Sequence, residues 1–285
     1  MRELQGRTTP DSYAGESLNI YMLFFRSLNE LNWHSTSSLI AFPRHKKRSR
    51  TPISVMGNWA ISLADAQFTE FSDEKHEFIT VDDFMTAPKT AIEMAVLQKF
   101  AKITPQYPGL RAPLDKAVAQ SWLAELTPLL DKGFGKARNG WGIQVWLSVV
   151  TTPPHELIPM QRLPHVDGTD PKLIAMMLYL HETDHGGTAF FRHKSTGLES
   201  LTDETFPQFR AALEVDVGRT GMPPARYIED GAPHFERIHA SEGVFNQAVF
   251  YRGNVLHSGI IDNDAPLPLD PREGRLTINA LFRPN

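Results

Sequence analysis

The 285-residue sequence contains no cysteine. That excludes disulfides, thiolate zinc sites, iron–sulfur clusters and a cysteine nucleophile. It also lacks an excess of charge of either sign. The formal net charge is -4, so nothing draws the chain as a whole to nucleic acid or to a membrane surface. Long apolar runs are missing too. The patch at residues 20–25 is far shorter than the ~20 residues a membrane span needs. No cationic segment followed by an apolar stretch and a small-residue cleavage site opens the sequence, so a cytoplasmic enzyme or binding protein is expected. What is present is 41% hydrophobic residues, ample for one well-buried core.

Residues 1–60 are rich in Ser, Thr, Asn and Arg and show no sustained periodicity. They read as a poorly ordered N-terminal extension ahead of one domain over 61–285. The basic run at 44–50 reads as a solvated tail, or else as a nuclear-type signal or anion-binding arm. The domain divides into a helical front, 77–135, and a β core, 140–285. In the front, 78–84 reads as a strand. Thr86 offers an N-cap and Pro88 a first turn, and Ile92, Ala95, Val96, Lys99 and Ile103 recur at helical spacing. Residues 107–113 read as a turn-rich link, and 114–130 as a second helix that stops at Gly133. In the core, 142–150, 160–167, 173–180, 188–194, 248–251 and 275–282 are short apolar runs separated by turn residues. An insert, 195–242, carries a helix over 203–215. The fold expected is mainly β, a sandwich or jelly roll with a helical buttress.

Two metal motifs stand close together. His165-Val-Asp167 is an H-x-D pair, and His181-Glu182-Thr-Asp-His185 spells H-E-x-x-H. H-x-D alone is a weak signal, because a chain with 11 histidines produces one by chance about as often as not. On a strand, however, residues i and i+2 share a face, so His165 and Asp167 could grip one ion. A third ligand must come from elsewhere, and His257 sits at the end of a later strand, next to a turn. Two imidazoles and one carboxylate leave coordination positions open, as in non-haem Fe(II) oxygenases. H-E-x-x-H needs a helix to bring its histidines to one face, and this would make a zinc protease of His181, Glu182 and His185, with Glu204 as a third ligand. Against it, Gly186-Gly187 would end that helix on its second ligand. A hairpin with a polar turn at 181–187 is the better account of this stretch.

The order of these features resembles the 2-oxoglutarate/Fe(II)-dependent dioxygenases, in particular the prolyl-hydroxylase-like branch. It runs His165-Val-Asp167, Tyr179-Leu180, Gly186-Gly187-Thr188, His257, then Gly274-Arg275-Leu-Thr277-Ile-Asn279, and covers about residues 140–285. The front, with Val81-Asp-Asp-Phe84 and Tyr107-Pro-Gly-Leu-Arg-Ala-Pro113, is similar to an uncharacterised bacterial family of the same superfamily. The resemblance implies a double-stranded β-helix that takes Fe(II), 2-oxoglutarate and O2. It implies oxidation of a small-molecule or peptide substrate, not of nucleic acid, with release of succinate and CO2. It makes His165, Asp167 and His257 the iron ligands. Arg275 then pairs with the distal carboxylate of 2-oxoglutarate, Tyr179 adds a hydrogen bond, and Thr277 and Asn279 line the same pocket. The separation of His257 and Arg275 exceeds the family's pattern, which makes Arg272, in the intervening loop, a rival. Because Asp167 is retained, the resemblance implies hydroxylation rather than chlorination. A non-catalytic jelly-roll binding module is the remaining alternative.

Overall fold

The computed structural model describes residues 59–181, 186–230 and 232–285. Among them, ten strands form two antiparallel sheets. The strands are β1 (Ala66–Phe71), β2 (His76–Val81), β3 (Gly109–Pro113), β4 (Trp141–Val150), β5 (Ile174–Tyr179), β6 (Thr188–His193), β7 (Phe235–Ala240), β8 (Ala248–Arg252), β9 (His257–Gly259) and β10 (Leu276–Pro284). The large sheet runs β1-β2-β8-β5-β10-β4-β3 and the small one β7-β6-β9. The fold is thus mainly β, with helices α1 (Pro88–Val96), α2 (Lys116–Phe134) and α3 (Phe206–Thr220).

Alternation along each strand gives the large sheet two different faces. One face is aliphatic and packs on the helices. Leu147, Val149, Met176, Leu178, Phe250 and Ile278 form one core with Trp122, Leu126 and Leu130 of α2. Each of these side chains contributes about 1.5–3 kcal/mol on burial. Asp115 starts α2 by accepting hydrogen bonds from the backbone of Ala117 and Val118. The other face looks toward the small sheet, where Phe78, Tyr179, Val249 and Tyr251 meet Phe190 of β6. On this second face the pairing register lines up Arg111, Ser148, Thr277 and Tyr179 in a row across β3, β4, β10 and β5.

Several expectations need correction. Helix α1 stops at Val96 rather than running to Ile103, because Ala101 instead makes a two-bond antiparallel bridge with Arg111. Residues 109–113, read as a link, are strand β3. Its proline, Pro113, is tolerated because β3 lies at the sheet edge. Residues 160–167 do not form a strand. They hold the end of a 3-10 turn (Pro159–Arg162) and then a single bridge between His165 and His257. The run into His181 forms strand β5, as expected, and not the helix that H-E-x-x-H would need. Strands β5 and β6 lie in different sheets, so the segment between them joins the sheets and is not a hairpin turn. The insert holds α3, shifted from its expected range, and also β7, an edge strand of the small sheet. Of the expected extension, only residues 59 and 60 are described. Trp59 is already core, 5% exposed, and its carbonyl accepts a hydrogen bond from Trp122 Nε1 at 2.6 Å.

Candidate active site

The structure brings His165, Asp167 and His257 together between the sheets. One ligand atom from each lies within 4.8 Å of the others. His165 and His257 are held opposite each other by reciprocal backbone hydrogen bonds of 2.9 and 2.8 Å, and their rings are 4.5 Å apart. Asp167 is fixed from the other side, since its backbone N–H donates to the carbonyl of Gly253 at 2.7 Å. The expected i, i+2 pairing on a strand is therefore replaced by a loop pinned at two points.

The ring orientations suit a cation. His257 Nδ1 sits 2.8 Å from the Val255 carbonyl, which leaves Nε2 facing the Asp167 carboxylate at 3.5 Å. Adjacent ligands on bonds of about 2.1 Å stand roughly 3 Å apart, so a small closure would bring these atoms into one coordination sphere. Burial, His257 and Arg111 together hold the pKa of His165 well below the usual imidazole range. A neutral imidazole is the form that binds a metal. Two imidazoles and one carboxylate, converging and partly buried, fit a divalent transition metal.

Next to this triad lies a buried cation. Arg275 is 2% exposed, and its Nη2 donates to the carbonyls of Gly186 and Gly187 at 3.1 and 2.8 Å. Only glycine fits there. A Cβ on Gly187 would stand 2.2 Å from the Ser241 carbonyl, and Gly186, with φ +72°, presses on Ile260. A Cβ on Gly259, two residues past His257, would lie 3.7 Å from Arg275 Nη2, so the guanidinium borders β9. Its charge is felt by Tyr107, Tyr179, Tyr227 and Tyr251, while burial draws its own pKa down. The rival, Arg272, is on the surface, paired with Glu93 at 2.7 Å. The Tyr179 hydroxyl is fully buried and hydrogen-bonds with Thr188 at 2.8 Å and Ser241 at 2.7 Å. Thr277 is buried beside Tyr179 in the register and donates to Asn279 Oδ1 at 2.9 Å.

A family model described as a family of unknown function, DUF6445, matches residues 63–282. The chain belongs to DUF6445. No curated protein matches it. Among solved structures, it is similar to the non-haem α-ketoglutarate-dependent epimerase SnoN from nogalamycin biosynthesis, at 14% identity and TM-score 0.36, over 72% of this chain and 77% of that one. It is also similar to iron-bound HygX from Streptomyces hygroscopicus, at 12% identity and TM-score 0.39, over 73% and 82%. A third is the N-substituted L-amino acid dioxygenase from Burkholderia ambifaria AMMD, at 11% identity and TM-score 0.31, over 76% and 92%. At TM-scores this low the likeness carries no argument about this DUF6445 chain.

Of the competing motif, His181 is buried at 4% exposure and lies in no helix, while Glu182 and His185 fall outside the described residues. A second acidic and histidine group, Glu74, His76 and Glu199, lies elsewhere. There Glu199 is already engaged by Arg192, Ser72 and His76. Sequence reading missed Arg111 and Tyr251 near the triad of this DUF6445 member, and Tyr107, Ser148 and Tyr227 near Arg111 and Arg275. A visible signal was Ser148, a lone hydroxyl in the apolar run Val145-Trp-Leu-Ser-Val-Val150.

Proposed function

We propose that this chain is a non-haem Fe(II)- and 2-oxoglutarate-dependent oxygenase, and that its two sheets are the halves of a double-stranded β-helix. The observation that carries the reading is the convergence of His165, Asp167 and His257 beside a buried guanidinium, from segments far apart in sequence. In this reading residues 61–285 are the catalytic domain. His165, Asp167 and His257 hold the metal, with His257 turned by the Val255 carbonyl and His165 kept neutral by burial. Arg275 takes the distal carboxylate of 2-oxoglutarate, because a buried guanidinium matches a carboxylate in charge and in its two-pronged geometry. Tyr179, steadied by Thr188 and Ser241, turns its hydroxyl to the same carboxylate, and Thr277 and Asn279 line the approach. The metal and co-substrate together supply oxidation of an unreactive C–H bond, coupled to conversion of 2-oxoglutarate to succinate and CO2. Asp167 occupies the position that a chloride would need, so hydroxylation is the outcome favoured over chlorination. The substrate is a small molecule or a peptide side chain.

The test is succinate release. Fe(II)-loaded protein, prepared without oxygen and then given 2-oxoglutarate, O2 and a pool of small metabolites, should form succinate above the level seen with His257→Ala. Equal release from the two proteins across such pools would overturn the reading.

A further inference from the structure

Arg111 is a second cation at the site, half-buried, and the roles above give it nothing to do. It stands at the end of the register row that continues through Ser148, Thr277 and Tyr179. Its guanidinium lies 4.2 Å from the ring centre of Tyr107 and 5.6 Å from that of Trp146, so it packs against two aromatic faces. Among the described residues its side chain makes no hydrogen bond and no ion pair, and its Nε is sealed from solvent. The buried hydroxyl oxygens of Tyr107 and Ser148 lie close by and interact loosely with each other, and Tyr107 also with Thr277, without a well-formed hydrogen bond. A sealed guanidinium nitrogen without a partner beside two loosely bonded hydroxyls is uncommon in a folded protein. Among the described residues, the carboxylate whose charge bears on Arg111 is that of Asp167, and Arg111 in turn acts on His165. Its charge is therefore felt at the triad.

We propose that Arg111, with Tyr107 and Ser148, holds an anionic group of the primary substrate, so that the molecule oxidised is a small acid bearing a carboxylate or phosphate. The inference rests on the oxygenase reading, in which Asp167 is committed to the metal and the distal end of 2-oxoglutarate to Arg275. That leaves the charge of Arg111 without a bonded anion in a half-buried setting, where an arriving anion is favoured. A guanidinium already packed against aromatic rings loses little freedom on binding. An acid anchored at β3 would lie beside the triad and be presented to it at a fixed distance, as oxidation of one chosen C–H bond requires.

The test uses the full chain loaded with Ni(II) and titrated calorimetrically. 2-Oxoglutarate should bind the native chain and Arg111→Met within about twofold of each other. With 2-oxoglutarate saturating, benzoate and phenylphosphate are then added separately, to distinguish carboxylate from phosphate. At least one should bind the native chain and lose about ten- to a hundredfold in Arg111→Met, the cost of a charge-assisted hydrogen bond. Benzamide, the neutral shape-match of benzoate, should bind neither protein. Arg111→Lys keeps the charge without the fork; it should fall between the other two and guards against a folding artefact. If Arg111→Met weakens 2-oxoglutarate itself by tenfold or so, Arg111 serves the co-substrate and the proposal is overturned. It is also overturned if neither anion binds the native chain, or if benzamide binds as well as benzoate. If 2-oxoglutarate does not bind the native chain at all, the oxygenase reading fails first and takes this proposal with it.

Discussion

His257→Ala should abolish Fe(II) binding, and His165→Ala should do the same. Each removal leaves two ligands where three converge. The loss should exceed the ten- to hundredfold that even outer-shell changes cost at metal sites, roughly. The remaining ligands cannot compensate, because His165 and Asp167 are pinned by backbone hydrogen bonds to the carbonyls of His257 and Gly253. Those bonds involve main-chain atoms, so alanine at 257 keeps them and the fold survives. Two controls bracket the result. His76→Ala disturbs the other group of potential ligands, with Glu74 and Glu199, and should leave Fe(II) affinity unchanged. His185→Ala removes the second histidine of H-E-x-x-H and should do the same. Equilibrium dialysis with Fe(II) under argon gives the affinities. Retention of metal by both His165→Ala and His257→Ala, with loss in His185→Ala, would move the centre to the other motif.

Arg275→Met should weaken 2-oxoglutarate by about 2–4 kcal/mol, or roughly thirty- to a thousandfold, because a carboxylate entering a buried pocket would lose its charged partner. Methionine keeps much of the length and apolar stem, so the change falls on charge and hydrogen bonding rather than on packing. Arg272→Met should shift the affinity by less than about twofold, since an exposed pair such as Arg272 with Glu93 is worth little. Calorimetric titration of 2-oxoglutarate into the Ni(II)-loaded proteins reads both values. The reverse ranking would assign the carboxylate to Arg272 and remove Arg275 from the site.

The parts of the site that were readable in the sequence are those whose local pattern survives in the fold. Strands β4, β5, β6, β8 and β10 are short apolar runs bounded by turn residues, and they form near where that pattern puts them. The His-x-Asp spacing singled out a pair of side chains that the fold does bring together with His257, for an incomplete reason. His165 and Asp167 meet because His257 and Gly253 pin the loop, a contact between segments about ninety residues apart that no local pattern encodes. Arg111 was hidden for the opposite reason. Proline and glycine around it gave residues 107–113 the look of a turn, whereas the edge position of β3 lets the same residues pair with β4. The glycine pair at 186–187 suggested a hairpin, but its role lies in the close approach of its backbone to Ile260, Ser241 and Arg275. Strand β7 was invisible because its run, Phe-Glu-Arg-Ile-His-Ala, is half exposed at the edge of a three-stranded sheet.

The most direct measurement is anomalous diffraction at the iron edge from crystals grown without oxygen with Fe(II) and 2-oxoglutarate. The account predicts one strong peak bonded to His165, Asp167 and His257, with 2-oxoglutarate running from it to the guanidinium of Arg275. A peak at His181 or at Glu199, or 2-oxoglutarate bound away from Arg275, would contradict it.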